Sequence, residues 1–403
     1  MRSLMPIYTL LLAIFLFMTG TGVLPAVIGL RLDTAGVSAP LIGLLGTGYF
    51  AGLTIGSIMA FGLIQRVGHI RAFAAFVSMA SASVLAYALV QNVPLWLVLR
   101  VVNGFCVAGV FVCLESWLND QADPASRGST LAWYMVALYA GQALSQMTLS
   151  IDDGNRALPF VIGTIVLSLT VLPVAMTRMA EPPRGGQDVL KLKTLYGASP
   201  LGLVGTVAVG VMLGAFYIMA PIHAQRIGLT NLETASLIGL AIAGGTALQW
   251  PLGWLSDRFD RRKVIVASFA LTASICVGLA LVGASPALSL LGAAFGGFAF
   301  ALYPLCVAHT HDHIEKWQRT GASGGLVLCY SAGAALGPLL SAEAMRLFGP
   351  SGLYWFIGAV AALTFVFGIG RQLAAPPVPA DDQGAFQVLP RTTPASAALD
   401  NAD

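Results

Sequence analysis

The sequence predicts an all-α membrane protein, with twelve transmembrane helices in two pseudo-symmetric six-helix bundles. Three observations predict it. Of 403 residues, 57% are hydrophobic and only 10% are Asp, Glu, Lys or Arg, more apolar surface than a soluble interior can hide. Apolar runs of about 20 residues, the length that crosses a bilayer core, recur along the whole chain. The two halves repeat at one constant offset.

A sliding window of about 19 residues places spans at 7–30, 41–63, 72–91, 95–118, 128–150, 158–178, 199–222, 232–254, 264–283, 287–308, 322–343 and 352–371. Backbone groups in lipid must bond internally, and no run alternates with period 2, so each is a helix. The first run follows Arg2 like a signal peptide. It continues past Pro25 to Leu30 with no clear A-x-A site after it, so it reads as an uncut span. Span 2 carries Gly48, Gly52 and Gly56, a ridge that lets helices approach closely and slide. The break Gln91-Asn92-Val93-Pro94 separates spans 3 and 4.

Span 4 contains L-V-L-R-V-V-N-G-F-C-V-A-G, Leu97 to Gly109. Arg100 lies six residues past Pro94, about 9 Å along a helix. Either it snorkels outward, or it faces a cavity where a permanent cation binds an anionic solute or modulates a proton carrier. Asn103 follows one turn later. Span 5 sets Tyr139, Gln142 and Gln146 on one helical face, a stripe suited to a wet cavity. The segment 179–198, with Pro182-Pro183 and Gly185-Gly186, reads as a cytoplasmic linker. Spans 7, 8, 10 and 11 add Tyr217, Gln249, Tyr303 and Tyr330 to the candidate cavity, and span 11 carries Gly333, Gly337 and Pro338. The domains are therefore an N-terminal bundle (1–178), the linker, a C-terminal bundle (199–372) and a disordered cytoplasmic tail (373–403) rich in Pro, Ala and Asp.

Charge sets direction. With a cytoplasmic N-terminus, sixteen of the 21 Lys and Arg residues fall inside and four outside, the exceptions being Arg31, Arg156, Arg226 and Arg346. That split predicts a multi-pass protein of the bacterial inner membrane with both termini cytoplasmic. The net charge of +3 follows from the same asymmetry and points to no nucleic acid. The five cysteines all lie in apolar runs, without a C-x-x-C, and read as reduced packing residues. His309, His311 and His313 surround Asp312, but a spacing of two does not share one helical face, so a solvated loop is read there and no metal site. No P-loop and no nucleophile–base constellation occurs, so the chain is not read as an enzyme and no cofactor is expected.

The offset of the repeat is 192: Arg66 matches Arg258, Pro94 matches Pro286, Gly104 matches Gly296, Asp120 matches Asp312 and Arg127 matches Arg319. A-G-Q-A-L at Ala140–Leu144 matches A-G-A-A-L at Ala332–Leu336. The halves are thus related by an axis along the membrane normal. Twelve spans, a central linker and G-x-L-S-D-R-x-x-R-R after span 8 resemble the major facilitator superfamily. E-S-W-L-N at Glu115–Asn119, then Arg127-Gly128, and Q-W-P-L-G at Gln249–Gly253 resemble its YcaD-like bacterial branch.

The resemblance implies a monomeric secondary transporter that moves a small solute by rocking its halves about a central site. Asp257 to Lys263 packs six charges into seven residues. The resemblance makes this loop a cytoplasmic gate that favours the outward-open state. In it, beside Gly253 of the same motif, Asp257 faces the start of span 5 near Arg127, while Arg258, Arg261 and Arg262 pair with Asp120, Asp123 or Glu115. The first-half loop has Gln65 beside Arg66 where the second has Asp257 beside Arg258, so the brace is lopsided. Glu115 reads as a partner of Arg66 or a loop arginine, or as a titratable carboxylate. The spans hold few other acids, which leaves proton coupling open. Ser145-Gln146 stands where the family's antiporters need a late Gly-Pro in span 5, so import and export both stay open. The alternative reading is a non-transporting solute sensor on the same scaffold.

Overall fold

The computed structural model describes residues 5–121, 127–151, 157–177, 190–374, 383–387 and Arg391. One broken span, α1 (Met5–Thr21) and α2 (Leu24–Thr34), opens the first half. It continues through α3 (Ala39–Val67), α4 (His69–Leu89), α5 (Val93–Gln121), α6 (Arg127–Gln146) and α7 (Leu158–Met176). A short helix, α8 (Leu192–Ala198), leads to α9 (Pro200–Arg226), α10 (Asn231–Arg258), α11 (Arg261–Leu281), α12 (Pro286–His311), α13 (Arg319–Phe348) and α14 (Gly352–Ala374). No described residue lies in a strand.

Among the described residues, eleven spans are long and apolar enough to cross a membrane. The twelfth is α6, 20 residues long. Thr130, Gln142, Ser145 and Gln146 lower its hydropathy, because one of its faces turns to the centre of the molecule rather than to lipid. Elsewhere the outer surface is oily. Trp250, Leu290 and Leu363 are 74%, 73% and 72% exposed, a cost in water that a bilayer removes.

The repeat seen in the sequence reappears as repeated helix crossings. A Cβ at Gly104 would overlap the Tyr49 carbonyl oxygen, and one at Gly296 would overlap that of Ala241. Gly52 lies against the Val101 carbonyl and Gly244 against that of Ala293. Gly141 meets the Phe15 carbonyl and Gly333 that of Val207. Every partner is shifted by the same offset as its glycine. In lipid the absent side chain lets two backbones touch, so dispersion across the whole crossing replaces the hydrophobic drive available in water.

The first span breaks where Pro25, in the first turn of α2, removes a ladder donor. Gln146 from α6 donates to the Gly22 carbonyl at 3.0 Å, which satisfies a backbone group at the break. Downstream of the linker, Leu190 N–H donates to Gly321 O at 3.0 Å and Leu195 is buried. Ser199 then caps α9 by accepting from Gly202 N–H.

The turns α3–α4 and α10–α11 share one end of the molecule, the basic face. The halves close against each other at the opposite end. There Gly43 and Gly46 pack on Pro338, and Thr47 Oγ1 donates to Ala335 O at 2.5 Å. Arg226 reaches Asp33 at 2.6 Å, the two side chains being 32% and 18% exposed. An ion pair this wet contributes about 0.5–1 kcal/mol. Arg226→Ala should therefore loosen the seal and raise labelling of a cavity cysteine from this end about two- to fivefold; equal labelling would assign the seal to the glycine–proline packing alone.

Candidate functional site

A cavity of about 130 Å³ lies between the halves, with walls from α1, α2, α3, α5, α6, α9 and α13. The walls are mostly apolar and aromatic, and no acidic side chain lines it among the described residues. Arg100 on α5 is 1% exposed, with its guanidinium carbon 4.4 Å from the centre of the Tyr49 ring. Neither Nη1 nor Nη2 has a hydrogen-bond partner. A guanidinium offers five donors and cannot discharge. Its burial costs several kcal/mol, and the face of one tyrosine returns about 1–2 kcal/mol. One turn on, Asn103 donates to Ser83 Oγ at 3.4 Å, which ties this part of α5 to α4.

Tyr139 stands on the opposite wall, where its hydroxyl accepts from Gln249 Nε2 on α10 at 3.3 Å and so links the halves. Phe300 stacks at a tilt against both Tyr139 and Tyr217, with centroids 6.0 and 5.7 Å apart. Tyr330 meets Tyr303 edge-on at 5.4 Å. Arg391, from the tail, enters this aromatic wall. It donates to the Tyr139 hydroxyl at 2.5 Å and lies 4.8 Å from the centre of Phe300.

At the basic face the charge cluster is built around Arg261, 1% exposed. It pairs with Asp312 at 2.5 Å and with Asp257 at 2.9 Å. Burial pushes the Asp312 carboxyl above its ordinary range, against the pull of Arg261 and the Gly384 N–H. Arg258 stacks on Trp254 at 4.3 Å. Arg262 pairs with Asp260, whose side chain also caps α11 by accepting from Arg262 N–H at 3.1 Å. The partners of Asp257, Arg258 and Arg261 all belong to the C-terminal half and the tail.

Both halves match the sequence model of the Major Facilitator Superfamily, over residues 10–250 and 202–398. The chain belongs to the major facilitator superfamily. It is 28% identical over 361 residues to "Uncharacterized MFS-type transporter YcaD" of Salmonella enteritidis PT4, which covers 88% of this chain and 93% of the relative. The Salmonella typhi protein of the same name matches to the same extent. Among solved structures, the nucleoside transporter NupG superposes with a TM-score of 0.74 at 11% identity, covering 91% of this chain and 99% of that one. The D-xylose–proton symporter gives 0.69 at 15% identity, covering 91% and 97%. These likenesses establish a transporter of the superfamily, not an enzyme, and its helical membrane fold.

Within the superfamily fold, six residues singled out by sequence line the cavity: Arg100, Asn103, Tyr139, Gln142, Tyr217 and Tyr330. Three stand behind them: Gln146 on Gly22, Gln249 on Tyr139 and Tyr303 on Tyr330. Gate residues are brought together only in part. Gly253, Asp257 and Arg261 cluster with Asp312, whereas Arg66 is exposed on the other half. Glu115 is 1% exposed and lies 3.5 Å from the Tyr134 hydroxyl, and Asp120 accepts from Gln121. Asp123 and the side chain of Arg127 lie outside the described residues.

The histidine stretch needs correction. Helix α12 continues to His311, so His309 and His311 are buried rather than in a solvated loop. His311 bonds Ser323 and His313 Nδ1 bonds the His309 carbonyl. No metal-binding group occurs among the described residues. Sequence reasoning missed Tyr49, Phe300 and Arg391. Tyr49 follows the first glycine of the span 2 ridge, but neighbouring helix positions point about 100° apart, so the ridge does not mark it. For Arg391 no local signal exists, since a lone arginine in a polar tail reads as solvated.

Proposed function

We propose that the chain is a secondary active transporter that carries a small organic anion across the bacterial inner membrane by alternating access. The observation that carries this reading is the buried Arg100 guanidinium, unpaired in a central cavity without an acidic wall. A fixed cation in low dielectric draws an anion of matching size, and the aromatic walls suit an apolar body on that anion. The basic face is cytoplasmic by the distribution of Lys and Arg. The sealed end is then outer, and the state described is inward-facing.

Alternating access asks the basic ends to close in turn. Asp257 then exchanges its present partners for the start of α6, where the positive end of a helix dipole favours a carboxylate. Asp257→Asn removes that brace and one of its present contacts together. Both losses raise exposure to the cytoplasm, so labelling of a cavity cysteine from that side should increase about two- to fivefold. Unchanged labelling would remove the brace.

Counterflow in proteoliposomes tests the function. Preloaded organic anions should drive exchange, and neutral or cationic analogues should not. Exchange of cations in preference to anions would overturn the anion reading. No exchange of any solute, alongside measurable binding, would favour the sensor.

A further inference from the structure

The C-terminal tail is not free of the bundle. Gly384 is held at both backbone groups: its N–H donates to Asp312 at 3.0 Å, and its carbonyl accepts from Arg261 at 2.7 Å. Phe386 N–H donates to Asp257 at 2.9 Å. The Phe386 ring covers Gly253, where any side chain would collide with it. Three bonds and one ring contact thus seat this short segment on the end of α10 and its neighbours. Arg391 then bonds Tyr139 and stacks on Phe300, and only 9% of it is exposed.

The anchor points are linked along α10. Asp257 stands eight residues from Gln249, about 12 Å up α10, and Gln249 bonds the same hydroxyl as Arg391. Arg391 lies five residues on from Phe386, a reach of up to about 17 Å. The tail therefore has the length to run from the basic face into the cavity.

Arg391 does not fill the cavity; it lines it, as Arg100 does. Nη1 of Arg391, like Nη1 and Nη2 of Arg100, has no hydrogen-bond partner. Two guanidinium groups face one apolar space with no carboxylate on its described walls. Like charges repel strongly in such a place unless an anion lies between them.

We propose that residues 383–387 together with Arg391 act as a strap that closes the cytoplasmic side of the cavity, with Arg391 as the second cation of the anion site. The proposal rests on the anion reading above and deepens it. An anion between the two arginines favours the docked strap, and by linkage the strap tightens the anion equally. Gly253, Asp257, Arg261 and Asp312 thereby gain a second role, holding the strap in the inward-facing state.

The test needs no knowledge of the solute. Leu138, a cavity-lining residue, is replaced by cysteine in the full chain. The unsubstituted protein, whose own cysteines are buried, serves as the blank. Labelling rates are compared for an anionic thiol reagent, sulfonatoethyl methanethiosulfonate, and a cationic one, trimethylammonioethyl methanethiosulfonate. Arg391→Gln should lower the anionic-to-cationic rate ratio about tenfold or more. Truncation after Ala374 should lower it equally and also speed the cationic reagent, because the passage is unstrapped.

Hydrogen exchange reads docking separately. The amides of Gly384 and Phe386 should exchange at least about tenfold more slowly than in the free peptide. A ratio insensitive to both changes, or amides exchanging at the free-peptide rate, overturns the strap. Faster solute exchange on truncation, with no change in the ratio, would mean a simple plug and also overturns it. Counterflow with the unsubstituted full chain isolates the first reading. If the ratio still responds to Arg391 while no anion is ever exchanged, the strap stands and the transport reading fails.

Discussion

Arg100→Met is expected to abolish anion exchange without lowering thermal stability. An anion paired with a buried guanidinium loses about 3–5 kcal/mol when that partner is removed, more than a hundredfold in affinity. Ordinary buried ion pairs destabilise the fold when broken. Here Nη1 and Nη2 have no hydrogen-bond partner to strand, so methionine removes a desolvation cost and gives up the stacking on Tyr49. Arg100→Lys keeps the charge and loses the planar fork, so a loss of about tenfold is expected. Counterflow and a thermal melt of the same preparations check the pair of outcomes. Retained exchange in the methionine variant would make Arg100 a structural cation, and a large fall in melting temperature would point the same way.

The second large effect falls on folding. Gly104→Val and Gly296→Val should each cost more than the roughly 1–3 kcal/mol of ordinary overpacking. The obstacle at each site is a backbone carbonyl, Tyr49 at one and Ala241 at the other, which has no rotamer to change. The crossing must open along its length and surrender contacts on both sides. Helix propensity works in the opposite direction, but by less than about 1 kcal/mol. Size-exclusion profiles in detergent should lose the monodisperse peak, with similar losses at the two sites because the crossings are equivalent. Gly62→Val is the control: nothing lies within 4 Å of a Cβ there. A folded Gly104→Val variant beside a disrupted Gly296→Val variant would break the structural equivalence of the halves.

How far the site could be read from sequence depended on the kind of signal. Tyr139, Gln142 and Gln146 share a stripe, and that stripe does face inward. Yet Gln146 spends its amide on the broken first span rather than on the cavity. The periodicity of one helix gives a direction, but it does not say which neighbour stands there. Tyr303 shows the same limit, lying one ring behind Tyr330. The charge cluster was visible as composition. Its present partners were not, because Asp312 and Phe386 lie 51 and 129 residues beyond the side chains they meet.

Hydropathy by itself determined the solvent that surrounds the spans and, α6 apart, where they run, because crossing lipid demands a run of fixed length whatever the neighbours are. The constant offset likewise determined that the halves are equivalent, and the glycines that allow close crossings could be named from it. Only the tertiary structure decided that Arg100 is buried with Nη1 and Nη2 unbonded, that the end opposite the basic face is sealed, and that a tail arginine shares its cavity. Those facts concern distances between segments far apart in the chain. Local propensity has no term for such distances; packing and charge do.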